Sequence, residues 1–454
     1  MEDVHMKNKP YPRVVVAPPG PKARDIVRRD SEVLSPYNRP FYYPFVVQSG
    51  KGCIVKDVDG NEYIDFNSGI CVMNVGHCHP SVVEAVSKQV GELVHYSYTD
   101  FYYPYVVDLA EKLCKIVPGD FRKRVFFGNS GAESVEAAIK VARWHMERPL
   151  FIGFIGAFHG RTMGALSATA SKTVQRARFF PTMPGVFHVP YAYCYRCIFN
   201  VTYPDCNFKC IDFIDEMVLK KYVPPEETAA IIFEPIQGEG GYIVPPPGYF
   251  ERLKKLADKY GILLLDDEVQ TGMGRTGEWF GIQHWNVQPD ILCISKAIAS
   301  GISLGAVVTR AEVMNWEAGA HCTTLGANPV ACAAAIAVID VIRREKLLEN
   351  ARKQGEHIVK WFRDLQDESK IIGDVRGKGL MIGVEVVKDK DTKEPAGKEV
   401  GQIIRNSWKK GVVVITAGDS TIRIAPPLTI TRDLVDAGIE IIGESIRDVE
   451  RHMR

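Results

Sequence analysis

The sequence predicts an α/β protein: a large domain on a mostly parallel, seven-stranded sheet, and a smaller α+β domain assembled from both chain ends. Two observations predict it. First, seven short apolar runs (RVFFGN, LFIGF, GVFHVP, AAIIFEP, GILLLDDEV, DILCISK, GAVVT) alternate with helical segments from about residue 105 onward. Unbroken rather than alternating hydrophobicity marks strands buried on both faces, and intervening helices mark parallel crossovers. Second, a different pattern occupies the two ends. The predicted division is 1–104 as an N-terminal arm and part of the small domain, 105–340 as the large domain, and 341–454 as the rest of the small domain.

In chain order, the Pro- and Arg-rich start (YPRVVVAPPGPKAR, SPYNRPFYYP) reads as an extended surface arm with a short helix at best. GCIVKDVDGNEYIDF alternates as two strands about the turn Asp59-Gly60. HPSVVEAVSKQVGELV follows as a helix with Val82, Val83, Val86 and Val90 on one face. Beyond the seven apolar runs come a long amphipathic helix (IRREKLLENARKQGEHIVKWFRDL), two strand-like stretches (GLMIGVEVV, TIRIAPPL) and a final helix.

Composition narrows the class. At 454 residues and 46% hydrophobic, the chain can bury a large core. A formal charge of +1 gives no sign of nucleic acid or an anionic membrane as partner. MEDVHMKNKPYPR lacks the apolar stretch of a signal peptide, and no run of about 18 apolar residues offers a membrane span. A soluble, cytoplasmic protein is expected.

Three stretches carry chemistry. In RVFFGNSGAESVEAAIK an apolar strand ends, Gly128-Asn129-Ser130-Gly131-Ala132 turns the chain, and a helix begins with Val135, Ala138, Ile139 and Ala142 on one face. Small residues at a helix start expose backbone N–H groups to an anion, although Ser130 as a plain N-cap explains the same letters. In GILLLDDEVQTG, an apolar strand runs into Asp266, Asp267 and Glu268. Acids at a strand's carboxyl end need a cationic partner if buried, and side-chain alternation lets only one of Asp266 and Asp267 face a given pocket. In DILCISKAIASGISLG a strand delivers Lys296 into a small-residue loop, where a desolvated amine becomes a nucleophile toward carbonyls. AFHGRT adds Phe158, His159 and Arg161; FEPIQGEGG adds Glu234 and Glu239; TIRIAPPLTI adds Arg423.

Two look-alikes are set aside. GMGRTG fits G-x-G-x-x-G in letters but neither follows a strand directly nor opens an apolar-periodic helix. His77-Cys78-His79 sits before Pro80 at a helix start and reads as a structural turn.

The eleven cysteines divide into seven scattered singly, such as Cys71, Cys293 and Cys332, and four in one stretch, CYRCIFNVTYPDCNFKC. Cys194, Cys197, Cys206 and Cys210 have spacing that suits tetrahedral zinc or an iron–sulfur cluster, one or two disulfides, or reduced thiols in a packed loop.

Taken together, NSGAESVEAA, FHGRT, FEPIQGEGG, LLDDEVQTGMGRTG, ISKAIASG, TTLGANPVACAAA and VRGKGLMIGVE, in that order, resemble the class III aminotransferases of the pyridoxal-phosphate (PLP) fold type I superfamily. The resemblance runs from about residue 50 to 430 and is strongest to 4-aminobutyrate and ornithine aminotransferases, a branch that also holds archaeal amino-acid racemases. It implies a homodimer, or a dimer of dimers, with sites at the subunit interface, and a small amino acid and keto acid as partners. It implies a Schiff base at Lys296, Asp267 on the pyridine N–H, Val269 and Phe158 against the ring faces, and Gln270 near the ring hydroxyl. Ser130, Gly131 and Ala132 would serve the phosphate, His159 and Glu234 would line the cofactor site, and Thr324 would reach the neighbouring subunit's phosphate. Arg423 would hold an α-carboxylate, Glu239 would pair with Arg423 when a substrate lacks one, Arg161 would meet a distal carboxylate, and Ile70 would line the mouth. The implied reaction moves the amino group of an ω-amino acid to 2-oxoglutarate. The alternative is racemisation on the same scaffold.

Overall fold

A computed structural model describes residues 11–35 and 42–453. They fall into two compact units, one drawn from both chain ends (Met1–His79 and Glu349–Arg454) and one from Pro80–Leu348. The expected boundaries at 104 and 340 shift to 79 and 348, because the helix Pro80–Glu92 packs on the helix Pro329–Arg344 of the larger unit.

The larger unit is built on a sheet of seven strands, and the seven apolar runs supply them all. Their order is Lys123–Gly128, Gly305–Arg310, Ile291–Ile294, Leu263–Asp267, Thr228–Phe233, Leu150–Phe154, Val186–Val189. Gly305–Arg310 runs antiparallel to both neighbours and the remaining pairs are parallel. Thr228–Phe233 is buried at all six positions, which is why its sequence does not alternate. The helix Gly131–Met146 covers one face with Val135, Ala138, Ile139 and Ala142, all buried. Each larger apolar side chain on that face contributes about 1.5–3 kcal/mol relative to exposure.

The smaller unit holds two four-stranded sheets. In one, Ile54–Asp57 and Glu62–Asp65 form the expected antiparallel pair, and Val412–Val413 joins parallel to the second strand. The other is wholly antiparallel and uses Ile372–Lys378, Met381–Val386, Thr421–Ile424 and Ile415–Ala417. The helices Gly397–Lys409 and Arg432–Glu450 pack on each other.

Two expectations change. The N-terminal arm contains a thirteen-residue helix, Pro21–Val33, while its residues 1–10 and 36–41 lie outside the described residues. The single long helix after residue 340 is two, Pro329–Arg344 and Leu347–Glu368, because Lys346 takes a left-handed conformation at φ +53°. The turn at His77-Cys78-His79 is structural as read: His77 Nε2 lies 2.7 Å from Asp65 Oδ2. Among the described residues no helix is long and apolar enough to cross a membrane.

Candidate active site

The site grows from the carboxyl ends of neighbouring strands in the larger unit. At the end of Lys123–Gly128 the chain turns, and Ser130, in extended conformation, caps the helix by accepting a hydrogen bond from Glu133 N at 3.2 Å. The next amides, Gly131 and Ala132, lie in the first turn and have no carbonyl four residues back within the helix. Together with the helix dipole they form an anion cradle. A Cβ at position 131 would stand 2.8 Å from Val269 Cγ1 and 3.6 Å from Ser295 Cβ, so glycine alone lets the helix start abut two strand ends.

Asp267 closes the strand Leu263–Asp267 and is 3% exposed. Its Oδ2 lies 2.6 Å from His159 Nδ1, and its Oδ1 accepts from Val269 N at 3.1 Å. His159 is itself buried and fixed through its backbone N–H, which donates to Thr169 Oγ1 at 2.9 Å. Its Nε2 is buried without a hydrogen-bond partner. Asp266, one residue earlier, points to the other face of the sheet.

Lys296 follows Ile291–Ile294 and opens a short 3-10 turn, Lys296–Ala299. Its φ of +44° is left-handed for a residue with a Cβ, the kind of strain that gathers at functional positions. Ser295 anchors the approach by donating from its hydroxyl to the Leu304 carbonyl at 2.7 Å.

Glu234 ties two loops together: Oε1 accepts from Phe158 N at 2.8 Å and Oε2 from Gly238 N at 2.9 Å. Burial pushes its carboxyl up to about 7. Phe158 is half-buried, with the exposed Arg161 guanidinium 5.5 Å from its ring centroid. Gln270 is buried directly behind Gly238, where an added methyl group would collide with its side-chain amide. Glu239, on the same loop, pairs with Lys172 at 2.8 Å.

Ser130, Gly131, Ala132, His159, Asp267, Val269 and the Ser295-Lys296 step therefore converge, with Glu234, Phe158, Gln270 and Glu239 on adjoining loops. Thr324 is exposed on a loop whose Thr323 hydroxyl accepts from Asn129 Nδ2 at 3.3 Å. Ile70 and Arg423 belong to the smaller unit. Ile70 is exposed and holds a left-handed φ of +64°, strained for a β-branched residue. Arg423 is 1% exposed on Thr421–Ile424, and two residues on the Ala425 carbonyl accepts from the Ser68 hydroxyl at 2.7 Å. Sequence reading missed Lys172 and Thr169, whose letters in SATASKTV carry no pattern of their own.

The four clustered cysteines lie elsewhere. They line one small cavity of about 30 Å³ together with Tyr193 and Phe199. Burial first, then neighbouring thiols, pushes Cys194 up to about 11 and Cys210 up to about 12. None of the eleven cysteines is in a disulfide, and among the described residues no group of three or more His, Cys, Asp or Glu is arranged to hold a metal ion. The zinc, iron–sulfur and disulfide readings of Cys194, Cys197, Cys206 and Cys210 thus find no support in the geometry.

An anion cradle, a buried carboxylate with an orphaned histidine beside it, and a lysine on the adjoining strand end form a donor set that fits a phosphorylated, protonated pyridine bearing an aldehyde. The family model for "Aminotransferase class-III" matches residues 36–446. The chain belongs to that family. The class III aminotransferases imply PLP as cofactor, and the residues above fit it. Similar proteins include an alanine/serine racemase of Pyrococcus horikoshii, 41% identical over 96% of this chain and 93% of its own length. An acetylornithine aminotransferase of Methanosarcina acetivorans is 40% identical over 94% of this chain and 98% of its own. Among solved structures, an amine transaminase from an uncultivated Pseudomonas species in its PLP-bound form superposes with a TM-score of 0.84 at 32% identity, covering 93% of this chain and 97% of that one. The fold is that of the PLP fold type I transaminases.

Proposed function

We propose that this class III enzyme transfers the amino group of an ω-amino acid, of 4-aminobutyrate or ornithine type, to 2-oxoglutarate. The observation that carries the reading is the buried Asp267–His159 pair beside the helix start at Gly131 and the strand end at Lys296. Bound PLP would supply an electron sink for the pair released when the amine-bearing carbon of the substrate loses its proton.

The chain's own residues do the rest. Asp267, oriented by His159, holds the pyridine N–H and so keeps that nitrogen protonated. The amides of Gly131 and Ala132, with Ser130, hold the phosphate dianion. Phe158 and Val269 exclude water from the ring faces, and Gln270 meets the ring hydroxyl. Lys296 Nζ moves the proton at the substrate carbon that bears the reacting amino group. Arg423 binds the α-carboxylate of 2-oxoglutarate or glutamate, Arg161 the distal one, and Ile70 lines the mouth. Glu239 distinguishes substrates that carry an α-carboxylate from those that do not. Thr324 serves the phosphate of a neighbouring subunit in a homodimer or dimer of dimers.

A second reading, amino-acid racemisation, is favoured by the 41% identity to the alanine/serine racemase. It uses the same proton removal at Cα but returns the proton to the opposite face. One panel tests both: each amino acid is incubated with 2-oxoglutarate and assayed for glutamate, then incubated alone and analysed on a chiral column. Glutamate formation supports the first reading, enantiomer formation without keto acid the second, and neither with any donor defeats both. Lys296→Ala is expected to abolish whichever activity appears.

A further inference from the structure

Lys172 lies outside every stretch that carried chemistry in the sequence, yet the fold brings it to the loop proposed to select substrates. The route is backbone pairing. Ala170 N donates to the Ala157 carbonyl at 2.8 Å, and Gly156 N to the Ala170 carbonyl at 3.0 Å, which lays the segment after the helix Met163–Ala168 along residues 156–157. On the other side of that turn, Gln237 Nε2 donates to the Ile155 carbonyl at 2.9 Å and holds the 238–241 loop against it. Lys172 and Glu239 are sixty-seven positions apart in sequence, but their side chains meet at 2.8 Å and are only 33% and 20% exposed. Partial burial sets this pair apart from solvated surface pairs such as Arg28–Glu32, which is 61% and 57% exposed and screened by water.

We propose that Lys172 is a specificity-determining positioning residue: by neutralising Glu239 it permits substrates with an α-carboxylate to approach. This rests on the proposed role of Glu239. An ionised carboxylate in a partly dry loop repels an incoming carboxylate and attracts an ammonium group, and the lysine cancels that preference. Without it, Glu239 favours amines that lack an α-carboxylate. Lys172 is assigned no contact of its own with cofactor or reacting atoms; it acts through Glu239.

The test uses the PLP-loaded enzyme and two readouts, binding by calorimetric titration and steady-state kinetics, with 2-oxoglutarate and with a monoamine of similar length. Lys172→Met is expected to raise Kd and KM for 2-oxoglutarate about tenfold, to leave monoamine binding unchanged or tighter, and to leave kcat within about twofold. Lys172→Arg, which keeps the charge, is expected to restore wild-type values. Lys172→Met in an enzyme already carrying Glu239→Gln is expected to add no further change. The proposal is overturned if Lys172→Met weakens both ligands equally, if it lowers only thermal stability, or if Lys172→Arg behaves like Lys172→Met. A wild-type protein that turns over no amino acid would instead defeat the proposed function, and the binding ratio would still judge Lys172.

Discussion

Asp266→Asn is expected to change how stability depends on pH. Asp266 lies in the middle of the seven-stranded sheet, opposite Phe233 and Leu292, and is 0% exposed. No backbone amide or cationic side chain satisfies its carboxyl oxygens, and the Glu268 carboxyl lies within hydrogen-bonding reach. Burial first, then the charges of Glu268 and Asp267, pushes its carboxyl well above the ordinary carboxylate range. An ionised form there would cost several kcal/mol without compensation, so the folded protein keeps the proton. The unfolded chain releases it near pH 4. Between those two values the native state binds one proton more than the unfolded state, and stability falls as pH rises, by about 1.4 kcal/mol per unit. The wild type alone carries this loss, over whatever range the buried carboxyl keeps its proton. Asparagine has the same shape and no proton to release. Thermal scans of wild type and variant are therefore expected to show a Tm difference that grows in the variant's favour between pH 5 and pH 7, by about 1–2 °C per pH unit for a chain of this length. A Tm difference that stays flat from pH 5 to pH 7, or a wild type that gains on the variant, would show that Asp266 is ionised and refute the reasoning.

Other expectations follow from single contacts. His159→Leu removes the partner of Asp267 Oδ2 and leaves a buried carboxylate oxygen unpaired, so unfolding free energy is expected to drop by about 1–3 kcal/mol and PLP to leave faster on dialysis. Ser130→Ala deletes the cap on Glu133 N and is expected to cost about 1 kcal/mol in urea unfolding, with weaker phosphate-dependent retention of PLP. Lys296→Ala is expected to lose both activity and the absorbance at the border of visible and ultraviolet light that the cofactor gives when joined to lysine. Denatured without reductant, the chain is expected to react with eleven equivalents of thiol reagent; nine or fewer would reveal a disulfide, with Cys194–Cys210 the first place to look.

The sheet was legible because its inner strands are buried on both faces: Thr228–Phe233 and Ile291–Ile294 are buried at every position and read as unbroken apolar runs. Strands with mixed faces were harder. Ile372–Lys378, written IGDVRGK, alternates poorly and was not read at all. The break at Lys346 carries no proline or glycine to announce it. Of the site, the local parts were visible, since a helix cap and a strand end are fixed by neighbouring letters. The pairs were not. His159 and Asp267 stand 108 positions apart and Lys172 and Glu239 67, and no spacing rule links residues that meet only through sheet order. The cysteine spacing was obvious, but spacing does not say whether sulfurs converge on an ion.

The density of acid around the site also has a physical logic. Glu234, Asp266, Asp267 and Glu268 are all buried, and four anions in one low-dielectric region would be untenable if treated alike. The fold treats each differently. Glu234 spends both oxygens on the Phe158 and Gly238 amides, and so fixes loops. Glu268 spends its own on the Gly281 and Ile282 amides and the Thr271 hydroxyl, and is pushed by burial up to about 7. Asp266 faces the opposite side of the sheet from Asp267 and escapes charge by keeping its proton. Asp267 alone has a side-chain base beside it, an oxygen turned to the strand end, and an anion cradle and a lysine within the same cluster of strand ends. On the proposed function, a cationic ring nitrogen would pair with that one carboxylate. The order of the letters DDE thus matters more than their number: alternation along one strand sends one acid to the core and the next to the site.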